Sequence, residues 1–419
     1  MALLLLYFIF LFIAPQLWVG PLVNMRVDFF LYPAWIIYCM ATGRFGQIFQ
    51  LDGQDRFFLL MLIWMVLSMV IKGWTNESAM ILQNYCKWFL LYRLVVVTIG
   101  DVGRMRKAGI MLLFFASVLA VEGIQHMNSP DGLGWAGQAF GWVDGSAAEI
   151  GLDKRTRWVA IFDGPGVFCV VYTIALPFAL SFSMAPFGMF TRIIGMALVT
   201  LLLVGIYYTG ARGGYLTAIA IIGLFFALKS GVSAKRLLLG GVLGGAILML
   251  APGYVTSTRD SHGSAQHRVD MWAKGLEMVT NNPAMGIGKG NFKFYTGSLI
   301  AHNSVIETMG ETGFVGLFLW VGIIYLGIKK LLRFQLQPAI DPFDRACVSA
   351  VGLSIVGYLV SAMFVTLEYE TFYVLLAMSA VAGRGLAQPV QFTSRDAFVM
   401  GALMILFGIF LKFFVMMYY

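Results

Sequence analysis

Almost uninterrupted apolar runs of roughly 16 to 22 residues recur along the chain, and each is long enough to cross a hydrocarbon core about 30 Å thick at about 1.5 Å per residue. Nothing in such a core satisfies a backbone amide from outside. The chain must therefore satisfy its own, which helices do within each run. The runs fall at residues 2–20, 28–43, 57–72, 79–99, 108–124, 162–184, 193–209, 214–229, 237–252, 313–328, 347–366, 371–385 and 397–417. The expectation is an all-α polytopic membrane protein, one integral membrane domain over residues 1–419 with about 12 or 13 transmembrane helices. Composition agrees, with 59% hydrophobic and 12% charged residues, where a soluble globular chain has about a quarter charged.

The first run, MALLLLYFIFLFIAP, lacks a basic leader and an A-x-A-like cleavage site, so it reads as a span rather than a signal peptide. Cys39, Cys86, Cys169 and Cys347 are scattered in or beside apolar runs, with neither disulfide nor metal spacing. Basic residues gather on alternate connections: Arg44 and Arg56, then Arg104, Arg106 and Lys107, then Arg192, then Lys229, Lys235 and Arg236, then Lys329, Lys330 and Arg333, then Arg384 and Arg395. The positive-inside rule puts these connections and the N-terminus in the cytoplasm; the side of the C-terminus turns on whether there are 12 or 13 spans. Loops attracted to anionic lipid account for the net charge of +8, and no nucleic-acid partner is expected.

The opposite face holds the two longest polar segments, 125–161 and the large loop 253–312, which alone have room for an extramembrane site. In the second, WAKGLEMV (272–279) has the spacing of an amphipathic interfacial helix, ended by Asn281, Asn282 and Pro283, and GIGKGNF (286–292) follows as a glycine-rich loop. Topological bias should strip this face of cations, yet Arg212, Arg259, Arg268, Lys274, Lys289 and Lys293 remain, and an anionic ligand is the simplest reason. A transporter built from inverted repeats should show paired broken helices, which the sequence lacks. Lys87 and Arg93 in the fourth run are the only charges such a reading would use.

Arg212 sits in TGARGGYL (209–216), a short turn between two long apolar runs, where Gly210, Gly213 and Gly214 permit the turn and the approach of a ligand. Its guanidinium matches phosphate oxygens in a bidentate fork, although an arginine that snorkels and anchors the turn fits the same residues equally well. Arg268, beside Gln266 and His267, would either complete a pyrophosphate clamp or pair with Asp260 or Asp270. GIGKGNF lacks Walker spacing and a preceding strand, so it is a plain turn or a loop whose Lys289 touches phosphate.

Ser304 to Glu307 has the S-x-x-E form of a capping box, predicting a helix that starts at Ser304 with Glu307 bonded back to the cap. His302 then lies just outside, near the positive end of the helix dipole, where an imidazole tends to be neutral and suits general-base work on a sugar hydroxyl. A polar rim histidine is the plainer reading. Gly310, Gly313 and Gly316 offer small residues for close helix packing. The outer loops carry no D-x-D or H-E-x-x-H, and His126, His262, His267 and His302 show no ligand spacing, so a site without metal or cofactor is expected. Asp144, Glu149, Glu368 and Glu370 face outward, but nothing marks a carboxylate pair for glycoside hydrolysis.

Three motifs in order, T-G-A-R-G (209–213), H-R-x-D-M-W followed by N-N-P-A-M-G-I-G-K-G-N-F (267–292), and H-N-S-V-I-E-T-M-G-E-T-G (302–313), resemble the O-antigen ligase and polymerase superfamily over roughly 200–325. RTRWVAIFDGPGVF (155–168) is similar to the family segment entering a central span, with Gly164, Pro165 and Gly166 where many members carry Pro-Asn. The resemblance implies a GT-C-like glycosyltransferase of the bacterial inner membrane with its active site facing the periplasm. Its donor would be an undecaprenyl pyrophosphate-linked glycan. Its acceptor would be the lipid A core oligosaccharide in a ligase or a second lipid-linked repeat unit in a polymerase, and it would need neither metal nor ATP. The length of loop 253–312 and the His-Asn motif favour the ligase; a protein O-oligosaccharyltransferase is a further alternative. Arg212, Arg268 and His302 match the motif residues that carry catalysis in the family. Gly213, Tyr215, Gln266, His267, Lys274, Lys289 and Asn303 are the candidate pyrophosphate or glycan contacts around them.

Overall fold

The computed structural model describes residues 1–23, 25–141, 154–184, 186–231, 261–297, 299–338 and 340–418, the side chains of residues 76, 261–267 and 418 excepted. The helices are α1 (Ala2–Phe8), α2 (Val27–Ala41), α3 (Gly53–Lys72), α4 (Asn76–Ile99), α5 (Val102–Met127), α6 (Pro165–Phe182) and α7 (Met189–Thr209). They continue as α8 (Arg212–Lys229), α9 (Ser261–Asn281), α10 (Phe292–Thr296), α11 (Ser304–Gln335), α12 (Pro342–Ala362), α13 (Glu370–Arg384) and α14 (Ser394–Tyr418). Among the described residues, 8 helices are long and apolar enough to cross a membrane: α3, α5, α6, α7, α8, α11, α12 and α14. The protein is therefore an all-α, multi-pass membrane protein. Every expected run coincides with a helix except 237–252, which lies outside the described residues.

The first run stops short of its expected end. α1 passes into a single wide turn, Ile9–Ile13, and then Ala14 adopts a left-handed φ of 50° ahead of Pro15, whose ring bars its predecessor from helix. Gln16 and Trp18 fold back to donate to the freed carbonyls of Phe10 (3.1 Å) and Ile13 (2.9 Å).

α6 lies at the centre, packed by α5, α7, α8 and α12, and its residues from Phe168 to Ser181 are all buried. Such a helix, apolar all round, belongs inside a bundle. Its exposed counterparts lie outside: Phe190, Ile193 and Met196 on α7, and Ile405, Leu406 and Ile409 on α14, present the apolar exterior that lipid requires.

At one end of the bundle the Met1 amine lies in the field of Arg104, Arg44 and Lys107. Here Arg93 is fully buried, with Nη1 2.5 Å from Asp55, Nε on the Ile48 carbonyl and Nη2 on those of Gln47 and Gln50, each at 2.8 Å. All of its charge is spent on holding the α2–α3 connection, so it lines no transport path. Lys330 reaches Asp52 (2.5 Å) and Gln54 (2.9 Å) at the same end. At the opposite end Trp272 of α9 meets Phe414 of α14 with ring centroids 5.7 Å apart. The start of α1 and the end of α14 therefore lie at opposite ends of the bundle.

Candidate functional site

The site end of the molecule is organised by α11. The helix starts at Ser304 as expected, but its cap is Asn303, whose Oδ1 accepts from the amides of Val305 (3.0 Å) and Ile306 (3.2 Å). This corrects the capping box, and tertiary partners are the reason. The Ser304 hydroxyl accepts from the Leu367 amide at 2.8 Å, while Glu307 accepts from the Ala301 amide (3.3 Å) and the Thr366 hydroxyl (2.8 Å). Together they clamp the α12–α13 connection onto the start of α11. Asn303, proposed from sequence as a ligand contact, is instead wholly buried and occupied as the cap.

His302 immediately precedes that cap, half-buried, with a left-handed φ of 50°. Histidine tolerates this region better than most residues, and such a conformation persists only where its surroundings dictate it. They do so from both sides. The Ala301 amide is held by Glu307 and its carbonyl by the Trp272 indole (3.0 Å), and the next residue is the cap.

α11 is not continuous. Gly313 has φ 67° and ψ −170°, which breaks the helix and strands the carbonyls before it. The glycine-rich loop takes them up: the amides of Ile287 and Gly288 donate to Gly310 (3.0 Å) and Glu311 (2.9 Å), and Phe314 donates to Pro283 (2.8 Å). Trp64 of α3 donates to the Thr312 carbonyl at 2.9 Å. A Cβ on Gly286 would lie 2.4 Å from the Gly310 carbonyl oxygen, and one on Gly313 would lie 2.2 Å from that of Ala284. GIGKGNF is thus neither a plain turn nor a phosphate cradle. It splints the broken helix backbone to backbone. Gly310 does pack closely against α9, as its size suggested, but Gly313 serves the break.

Lys289, expected to touch phosphate, is 3% exposed and lies 2.8 Å from Glu311 and 2.5 Å from Glu368. Burial works to lower its pKa, and the two carboxylates outweigh burial and raise it, so the amine stays charged. The other Glu311 oxygen accepts from the Phe292 amide at 3.1 Å. Glu311, which sequence left without a role, and Glu368 therefore complete a buried ion cluster behind α11.

Arg212 opens α8 two residues after the left-handed Gly210, and it is exposed. Arg268 lies on α9 one turn before Trp272, the residue bonded next to His302, and is half-buried. Burial and then the charge of Arg212 lower its pKa, so the two guanidiniums share one field. Arg212, Arg268 and His302 thus lie at the same end of the bundle. Gly213 offers no open backbone, because a Cβ there would lie 2.8 Å from Phe364, whose ring fills the space. The Tyr215 hydroxyl donates to the Tyr207 carbonyl at 2.9 Å, and Lys274 is half-buried farther along α9. Gln266 and His267 ride on α9, but their side chains lie outside the described residues, as do Asp144, Glu149, Arg259 and Asp260 entirely. Among the described residues no three His, Cys, Asp or Glu side chains are grouped to hold a metal ion.

One residue here was missed. The Arg155 side chain crosses Gly210, so that a Cβ on this glycine would lie 3.1 Å from its Cγ and Nε. The segment RTRWVAIFDGPGVF is similar to a family segment, but nothing in its residues pairs position 155 with a turn more than fifty positions away.

Residues 196–321 match the family model described as O-Antigen ligase. The resemblance to the O-antigen ligase superfamily holds over this segment, which contains Arg212, Arg268 and His302. No curated protein matches the chain.

Proposed function

We propose that the protein is an O-antigen ligase, moving a glycan from an undecaprenyl pyrophosphate carrier in the inner membrane to the lipid A core oligosaccharide. Segments 125–161 and 253–312 would form the periplasmic side of its site. One observation supports this above the others: two guanidiniums sharing a field lie at the same end of the bundle as a rigidly held histidine, within the segment matching the ligase model.

In this reading His302 accepts the proton of the acceptor hydroxyl as its oxygen attacks the anomeric carbon. The bond from that carbon to the pyrophosphate oxygen breaks, and undecaprenyl pyrophosphate leaves with the electron pair. Arg212 and Arg268 stabilise the charge that develops on it, the role a divalent ion plays elsewhere. A single displacement inverts the anomeric carbon, and the donor bond itself supplies the driving force, so ATP is unnecessary.

The test is the purified protein with a lipid-linked glycan, offered lipid A core, a second lipid-linked glycan, or peptide. Transfer to lipid A core is expected; growth of lipid-linked glycan would make it a polymerase, and glycosylated peptide a protein transferase. Because general-base catalysis contributes about 10² to 10⁴ in rate, His302→Ala should lower turnover by about that factor while donor binding persists. Full activity in this variant would overturn the base assignment.

A further inference from the structure

We infer that Arg155 is a third guanidinium of the pyrophosphate site, binding the charge that appears on the leaving group as transfer proceeds; the inference rests on the reading of Arg212 and Arg268 as pyrophosphate ligands. A pyrophosphate substituted at both ends carries one negative charge on each phosphate. When the bond to the sugar breaks, the departing phosphate gains another. Two arginines match the donor, and a third matches the product.

The structure brings Arg155 to that place by main-chain pairing. Its carbonyl accepts from the Gly141 amide at 2.8 Å, and the Thr156 amide donates to the Tyr208 carbonyl at 3.0 Å, which pins this segment to the end of α7. The Arg155 side chain then lies across Gly210, two residues before Arg212, and its charge reaches Tyr215 on the first turn of α8. Gly210 has φ +57°, so the turn needs glycine both for its backbone and for the space the guanidinium stem occupies. Arg157, two residues on, pairs with Asp163 at 2.7 Å and donates to the Ala139 carbonyl at 2.9 Å, which fastens the same segment.

The experiment measures binding of undecaprenyl pyrophosphate, and of the glycan-linked donor, to detergent-purified variants that run as a single species on size exclusion. Arg155→Ala should weaken undecaprenyl pyrophosphate binding about tenfold or more, as loss of a charge-assisted contact does. It should weaken donor binding less, and it should lower kcat more than it raises KM. Arg155→Lys should recover part of the loss. Lys154→Gln removes the same charge from an exposed neighbour and should leave both affinities unchanged. Gly210→Asn, which tolerates the left-handed turn but intrudes on the stem, should behave as Arg155→Ala does, and it carries the test together with Arg155→Lys if the alanine variant does not fold. If Arg155→Ala binds both ligands as the parent does while Arg212→Ala is impaired, this inference falls and the pyrophosphate reading stands. If Arg212→Ala and Arg268→Ala also bind normally, both fall.

Discussion

A lysine buried in a membrane protein is stable only if carboxylates compensate it at contact distance, and Lys289 has two, at 2.8 and 2.5 Å. Removing the cation leaves the buried Glu311 and the partly exposed Glu368 without the charge that both of them contact. Lys289→Met should therefore destabilise the protein by about 3–5 kcal/mol, read as a lower melting temperature in detergent, and adding Glu311→Gln should recover part of it. The pKa of Lys289 is raised above its unfolded value. Its contribution is then complete below about pH 10 and lost only as pH rises through the folded value, so the gap between parent and variant should not shrink from about pH 6 to 9. A gap that shrinks across that range would mean that the amine is not held charged. Lys289 also shows what the sequence hides at this scale. Its cationic character was legible, but its partner Glu368 lies 79 residues away, on a connection that hydropathy alone does not bring near. Asn303 and Ser304 make the same point in miniature. Both are good caps, and the choice between them is made by the Leu367 amide, which takes the serine hydroxyl.

Broken helices need something to satisfy the backbone groups that the break exposes, and in α11 the glycine-rich loop and Pro283 before it do this with three main-chain hydrogen bonds. The apolar runs were legible because burial in lipid demands length and hydropathy, which sequence carries directly. The break was not, because Gly313 reads as one small residue among three, and only the loop lying 2.2 Å from its missing Cβ gives it away. Gly313→Ala faces both a left-handed φ of 67° and a collision with the Ala284 carbonyl. The variant should lose thermal stability by more than about 1 kcal/mol and should lower transfer, because the half-helix that the loop secures is the one starting beside His302. Gly316→Ala is the wrong control, since its space is taken by Thr312 and Trp64. Gly223→Ala on α8 meets nothing within 4 Å and should be silent. Equal melting temperatures for Gly313→Ala and Gly223→Ala would mean that the splint is dispensable.

The charge pattern and the packing agree about the molecule as a whole. The Met1 amine stands among Arg44, Arg104 and Lys107, and the basic residues Arg93 and Lys330 are anchored at the same end. Arg212, Arg268 and His302 lie at the other, where Lys289 also stands. The alternation of basic connections foretold that the loops carrying Arg44, Arg104 and Lys107 share an end with Lys330, while Lys235 and Arg236 lie outside the described residues. It left the C-terminus open, because hydropathy alone did not decide between 12 and 13 runs. Contact between Phe414 and Trp272 puts the end of α14 beside α9, on the site end. If basic loops stay in the cytoplasm, the N-terminus is cytoplasmic and the last turn of α14 is exported. A reporter that matures only in the cytoplasm, such as green fluorescent protein, should then be dark when fused after Tyr419, and alkaline phosphatase fused there should be active. The reverse pattern would place the candidate site on the cytoplasmic face, out of reach of an exported acceptor.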